Sequence, residues 1–245
     1  MRFEKWQGCG NDFVIVEESE LDGGLDADRV RALCDRRFGI GADGILVVGR
    51  PTGRRWPLAI HNADGSTAES CGNGSRCVAR YLVDRHGGDA CELVTAGGTV
   101  RARRDGDAIG IELDAPRVLG EVESERGRGV RVAVGNPHVV AFVEDPARID
   151  LPALARAMRA AAGDANVEAA AVRTRDAIDL RVDERGVGET LACGTGACAA
   201  VAAAASLGLV DREVSIGLPG GTLVVRTGAR YELWGPAERV FAGSL

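Results

Sequence analysis

One short loop occurs twice in this chain, and that repetition constrains the fold more than any other feature. Residues 71–74 read Cys71-Gly72-Asn73-Gly74 and residues 193–196 read Cys193-Gly194-Thr195-Gly196, 122 positions apart in a chain of 245. Two further echoes keep nearly the same offset. Gly10-Asn11-Asp12-Phe13 returns as Gly135-Asn136-Pro137-His138 after 125 positions, and Gly97-Gly98-Thr99-Val100 as Gly220-Gly221-Thr222-Leu223 after 123. Three echoes in one order indicate a duplicated domain with one thiol in each copy. Two such thiols can address opposite faces of one substrate carbon, which is what inversion at a carbon acid requires.

Composition narrows the partners. An apolar fraction of 45% with 27% charge is that of a globular protein with a real core. A net charge of −6 disfavours nucleic acid and anionic membranes as partners. Residues 190–210 are uncharged, long enough to raise a membrane span, but Gly194 and Gly196 interrupt the first third. The run reads instead as a buried helix. The first residues, Met1-Arg2-Phe3-Glu4-Lys5-Trp6, lack the apolar stretch of an export signal. Seven cysteines without such a signal point to thiols in a reducing compartment, the cytoplasm.

Periodicity places the loops. Asp26 is positioned to cap a helix through Phe38, with Val30, Leu33, Cys34 and Phe38 on its buried side. Gly39-Ile-Gly-Ala-Asp-Gly44 formally matches a dinucleotide fingerprint, but that motif needs a strand before and a helix after. Here a helix precedes and an apolar strand-like run, Ile45–Val48, follows, so the glycines read as a helix end and turn. A helix follows Gly74, with Cys77, Val78, Tyr81 and Leu82 on one side, ending near Gly87. Ala197–Ser206 is apolar on every face and must be surrounded. Short β-branched runs lie around these helices: 11–17, 92–100, 108–113, 130–134, 139–143, 177–182, 214–218, 223–225 and 230–234. Asp150 and Pro152 start an amphipathic helix. The expected fold is α+β, with two pseudo-symmetric halves, each a curved, mostly antiparallel sheet wrapped around a central helix. The halves are expected at 1–116, carrying Cys71, and 117–235, carrying Cys193, with the tail 236–245 returning to the first.

Cysteine suits both roles in a proton transfer, as thiolate base on one side and thiol acid on the other. A helix N-terminus lowers a thiol pKa, and its amides can hold a carboxylate where glycine lets the backbone approach. Converging amides would also stabilise a carbanion-like transition state, so no cofactor or metal is required. Cys34, Cys77, Cys91 and Cys198 read as buried small hydrophobes, and Cys9 as a weaker case of the same. Zinc fits poorly, because Cys77 and Cys198 fall on the buried bodies of the helices. A pyridoxal-phosphate enzyme would need a Schiff-base lysine, and Lys5 is the only lysine.

The segments Gly10–Phe13, Asp35–Gly44, Asn62–Ser66, Cys71–Cys77, Gly135–His138, Glu184–Thr190 and Ala192–Ala197 together resemble the diaminopimelate epimerase family, in order and over nearly the whole chain. The resemblance implies a cofactor-independent two-base epimerase acting on LL- and meso-diaminopimelate, a small amino-acid substrate, and a homodimer. It makes Cys71 and Cys193 the acid/base pair, with the amides of Gly72, Asn73, Gly194 and Thr195 on the reacting carboxylate. Asn62, Asn136, Asn166 and Arg185 would hold the distal amino-acid group. Asn11 and Glu184 would also contact substrate, and His138 would support the thiols. The chain departs from the family pattern at Gln7, Cys9 and Gly44, and after Asn166. A proline racemase-like or other amino-acid racemase is the nearest rival, though such proteins typically carry Cys-Gly-His-Gly in the first loop; another amino acid, such as histidine, stays open as the substrate. A non-catalytic amino-acid binder is the rival from another class, and it would not need both cysteines.

Overall fold

The computed structural model describes all residues, Met1–Leu245, and divides into two units. One comprises Met1–Ile111 with Gly235–Leu245, the other Glu112–Trp234. The first unit contains β1 (Arg2–Gly8), β2 (Asn11–Glu17), α1 (Ala27–Cys34), β3 (Gly44–Val48), β4 (Arg55–Asn62), β5 (Thr67–Ala68), α2 (Gly72–His86), β6 (Ala90–Thr95), β7 (Gly98–Asp105) and β8 (Ala108–Asp114). The second contains β9 (Arg117–Ser124), β10 (Gly127–Val134), β11 (Asn136–Phe142), α3 (Leu151–Ala162), β12 (Asn166–Thr174), β13 (Ala177–Glu184), β14 (Gly188–Thr190), α4 (Gly194–Ser206), β15 (Glu213–Leu218), β16 (Gly221–Arg226) and β17 (Arg230–Gly235). A last strand, β18 (Glu238–Ser244), belongs to the first unit.

Strand pairing repeats from unit to unit. In the first, β1 and β2 are antiparallel, β2 and β3 parallel, β3 and β4 antiparallel. Then β4 takes β5 antiparallel and β6 parallel, and β6, β7 and β8 continue antiparallel. The second unit runs through the same scheme with β10 to β17 in the same roles. The flanking strand differs in origin. β9 precedes β10 in the chain and pairs with it antiparallel, whereas the equivalent partner of β1 is β18, from the far end of the sequence. Parallel neighbours need crossovers, and α1 and α3 supply them at matching places.

Each crossover helix packs its apolar stripe on the parallel pair. In the first unit Val30 and Cys34 of α1 meet Val14, Val16, Ile45 and Val47. In the second, Leu151, Leu154, Ala155 and Met158 of α3 meet Val139, Ala141, Val167 and Ala169. Asp150 caps α3 by accepting the Ala153 N–H at 3.0 Å, which fixes where the stripe begins. Truncating a fully buried residue such as Met158 to alanine costs about 2–5 kcal/mol. α4 is enclosed as its composition requires: every residue from Gly196 to Ala204 is buried. α2 buries Cys77, Val78, Tyr81 and Leu82 and stops at Gly87, whose φ of 73° suits glycine.

Two local expectations fail. The first helix ends at Cys34 rather than Phe38, and Phe38 is 93% exposed. Asp35 is extended, and its carboxylate accepts the N–H groups of Arg37 and Phe38, which diverts the chain into a turn. Asp35 is the C-cap residue, and Gly41, at φ 79°, returns its N–H to the Leu33 carbonyl at 3.1 Å. The run 92–100 is not one strand but the two arms of a hairpin, β6 and β7, turning at Ala96-Gly97.

Candidate active site

Both cysteines occupy the same structural position. Cys71 is the N-cap of α2 with φ −150° and ψ 111°, and Cys193 is the N-cap of α4 with φ −125° and ψ 114°. An extended N-cap side chain turns back over the helix start, and sulfur here does what a serine oxygen usually does. The Gly74 N–H donates to Cys71 Sγ at 3.3 Å, and the Gly196 N–H to Cys193 Sγ at 3.4 Å. Gly72-Asn73 and Gly194-Thr195 open the two helices, where amides of the first turn have no acceptor within the helix. Such amides and the helix dipole favour an anion beside the sulfur.

The last glycine of each loop is fixed by close approach. A Cβ at Gly74 would lie 3.1 Å from Leu46 and 3.3 Å from Cys71 Sγ. A Cβ at Gly196 would lie 2.9 Å from Glu168 Oε1 and 3.4 Å from Cys193 Sγ. The last glycine of each loop therefore reflects packing against a thiol, since neither has a positive φ.

Around Cys71 the polar groups form a directed chain. Arg76 donates to Asn73 Oδ1 at 2.9 Å, Asn73 Nδ2 to Asn11 Oδ1 at 3.2 Å, and Asn11 Nδ2 to Asp43 Oδ2 at 2.7 Å. Arg36 bridges Asp43 and Asp12 at 2.7 Å each, and Lys5 pairs with Asp12 at 2.6 Å while also donating to the Gly41 carbonyl. Burial pushes the Asp12 carboxyl up, but hydrogen bonds from Arg36 and Lys5 outweigh it and hold the pKa at about 2. The sole lysine is thus structural. Asn62 does not join this chain: it sits at the end of β4 with its Nδ2 on Ser66 Oγ at 2.9 Å.

Around Cys193 the setting is drier. Cys193 is buried, and Thr195 Oγ1 lies 3.4 Å from its sulfur. Burial raises its pKa well above the ordinary thiol value, and the charge of Glu184 adds to the rise. The hydrogen bonds from Thr195 and Gly196 oppose it and are outweighed. The expectation that a helix N-terminus lowers the thiol pKa therefore fails here, because desolvation of a thiolate exceeds the help of a few amides. Glu184 accepts the Thr190 hydroxyl at 2.6 Å. Asn166, buried at the start of β12, accepts the Arg185 N–H at 2.9 Å. The Arg185 guanidinium is half-exposed, 3.7 Å from Asp164, and so is available to a ligand. His138 is buried between Asn136 Oδ1, 2.9 Å from Nε2, and Glu168 Oε1, 2.6 Å from Nδ1.

Within each unit the structure thus gathers Asn11 and Asn73 beside Cys71, and groups Asn136 with His138 and Asn166 with Arg185. Two residues went unread from the sequence. Asp43 anchors Asn11. Glu168 is fully buried and abuts the Cys193 loop. A signal for Glu168 was present, since alternation puts Asn166 and Glu168 on one face of β12. Burial acts the same way on four other thiols, pushing Cys77 up to about 12 and Cys91 up to about 11 and raising Cys9 and Cys34. No helix is long and apolar enough to cross a membrane.

Comparison with known proteins bears on this arrangement. The family model described as diaminopimelate epimerase matches residues 3–117 and 130–237. Diaminopimelate epimerase 1 from Nostoc sp. is 35% identical, with 100% of this chain and 99% of that protein covered. The diaminopimelate epimerase of Albidiferax ferrireducens is 38% identical over 99% of this chain and 97% of its own. Among solved structures, a phenazine biosynthesis protein of the PhzF family from Bacillus anthracis superposes with a TM-score of 0.76 at 14% identity, covering 100% of this chain and 99% of that one. That likeness is one of fold.

Proposed function

Because the chain belongs to the diaminopimelate epimerase family, we propose that it interconverts LL- and meso-2,6-diaminopimelate by proton transfer between two cysteines and the substrate α-carbon. The observation that carries this reading is the matched placement of Cys71 and Cys193, each capping a helix at the same point of a repeated scaffold. One cysteine, as thiolate, takes the α-proton. The other, as thiol, gives a proton to the opposite face, so the enzyme ends with the two protonation states exchanged. Burial beside Glu184 favours the thiol form at Cys193, which suits it to donate first. The amides of Gly72, Asn73, Gly194 and Thr195 bind the reacting carboxylate and stabilise charge as the carbanion develops. Arg185 supplies a guanidinium fork for the distal carboxylate. Asn62, Asn136 and Asn166 hold the rest of the distal amino-acid group, Asn11 and Glu184 contact substrate, and His138 supports the site.

We propose the cytoplasm as its compartment, supported by the seven cysteines of the sequence, which suit a reducing environment. A homodimer is the assembly we propose, supported by Val240 and Phe241 of β18, which are 57% and 44% exposed. Light scattering of the purified protein should give twice the chain mass.

The test of the reaction is proton NMR of LL-diaminopimelate with the enzyme in D₂O. Loss of one α-proton signal with formation of the meso isomer is the expected result. Exchange with proline or histidine but not with diaminopimelate would keep the two-thiol chemistry and replace the substrate. No exchange with any amino acid would reduce the protein to a binder.

A further inference from the structure

Glu168 is the one buried acid near the cysteines that the proposed chemistry does not use. Neither its burial nor its contacts suit a spectator. Its side chain is inaccessible, Oε1 lies 2.6 Å from His138 Nδ1, and Oε2 has no hydrogen-bond partner. A buried carboxylate with one empty oxygen is strongly unfavourable unless something neutralises it. On the far side of the ring, His138 Nε2 lies 2.9 Å from Asn136 Oδ1, which can only accept. Nε2 must therefore carry a proton.

That requirement fixes the proton count. With Nε2 protonated, the short contact between Nδ1 and Oε1 needs one more proton, riding on either atom. If it rides on nitrogen, the pair is imidazolium and carboxylate; if on oxygen, it is imidazole and carboxylic acid. Both forms are neutral overall. The second also leaves the orphan Oε2 as an uncharged carbonyl oxygen, the cheaper group to bury unpaired. Burial moves the Glu168 carboxyl in that direction, raising its pKa against the lowering influence of His138.

We infer that Glu168 is a positioning residue: it shares one proton with His138, holds a proton on His138 Nε2, and thereby locks the Asn136 side-chain oxygen inward so that its NH₂ group faces substrate as a donor. Parallel pairing builds the relay from adjacent strands, because β11 and β12 set His138 opposite Asn166, and alternation puts Asn136 and Glu168 on the same faces. Without the relay the Asn136 carboxamide could turn over and offer an acceptor. The donor would recognise a substrate carboxylate or other acceptor oxygen on the distal group. This inference rests on the reading of Asn136 as a substrate contact.

The experiment has two arms. The first is ¹⁵N NMR of the wild-type protein labelled at histidine, with the two ring nitrogens of each of His61, His86 and His138 to assign. Protonated Nε2 on His138 is expected; an unprotonated Nε2 overturns the proposal whatever the substrate contacts are. The second is a double-mutant cycle of Glu168→Gln and Asn136→Ala, read in kcat and KM for LL-diaminopimelate. Glutamine can face Nδ1 with either end of its amide and so no longer dictates the ring's tautomer. Glu168→Gln should raise KM roughly tenfold, the worth of one misaligned hydrogen bond, with little change in kcat. In the Asn136→Ala background the same change should have no further effect. Multiplying effects would overturn the relay and make Glu168 merely structural. An unchanged KM for Asn136→Ala, with Nε2 still protonated, would instead remove Asn136 from the substrate site while leaving the shared proton in place.

Discussion

The two units repeat one strand scheme and one cysteine cap, yet their thiols live in different surroundings. α2 is amphipathic, and Cys71 at its start is partly exposed. α4 is alanine-rich and enclosed, and Cys193 is buried. The asparagines at the matching strand starts are also held in opposite senses. Asn11 gives its NH₂ to Asp43, whereas Asn136 presents its oxygen to His138. The first unit stabilises its polar chain with ions, Lys5, Asp12, Arg36 and Asp43, and the second with a buried pair that is neutral overall. Duplication alone would yield two equal bases. The proposed two-base reaction would need one base and one acid at any moment, and the divergence of environment around a repeated cap would supply the difference.

The most severe way to break the comparison is to remove either sulfur. Cys71→Ala and Cys193→Ala should each reduce epimerisation by at least about 10³-fold, measured as α-proton exchange and meso formation in D₂O. Substantial activity in one variant would show that only one unit carries chemistry. The glycines that touch the thiols sharpen the contrast. Gly196→Ala places a methyl against Glu168, itself held by His138, and should lower kcat about tenfold. Gly74→Ala meets the flexible methyl ends of Leu46, 3.1 Å away, and Cys71 Sγ at 3.3 Å, and should cost about two- to threefold. The reverse order would mean that the first loop is the less tolerant.

Acid stability should separate the units next. The Asp12 pKa is depressed to about 2, so its ion pairs contribute fully above the ordinary carboxyl range and are lost as pH falls from about 4 through 2. After allowance for solvent screening the contribution is about 1–2 kcal/mol. Thermal melts of Asp12→Asn should lie below wild type at pH 6 and converge toward it near pH 2–3. Parallel melts across that range would make the cluster energetically idle. The smallest effect concerns the raised thiol. Alkylation of Cys193 should be slow at pH 8 and climb with pH, and Glu184→Gln should quicken it a few-fold at pH 8 by removing a carboxylate that opposes the thiolate. Mass-spectrometric counting of the labelled peptides measures this, and an unchanged rate would leave burial alone as the cause.

Much of this is legible in the sequence. The loop echoes gave away the duplication, and Ala197–Ser206 announced an enclosed helix because it has no polar face. Asp150 marked the start of α3 for the reason that any short polar cap does. What escaped depended on partners distant in sequence or on a competing local bond. Phe38 continues the helical spacing, but Asp35 captures the next amides and ends the helix. The hairpin at Ala96-Gly97 hides in a continuous β-branched run. Glu168 lies thirty residues from His138, and only the parallel pairing of two strands joined through a helix brings the acid to the ring.

The sheet of the first unit takes its outer strand from the last residues of the chain, where β18 pairs with β1 from Arg2↔Ser244 to Gln7↔Glu238. On the ribosome this imposes an order of events. The second unit has all its strands in hand once Gly235 has emerged, and its contacts are closed over a single stretch of chain. The unit synthesised first must wait with that side of β1 uncovered until β18 has emerged. The Cys71 half is therefore the later of the two to mature, and the slower, since its closing pair spans nearly the full chain.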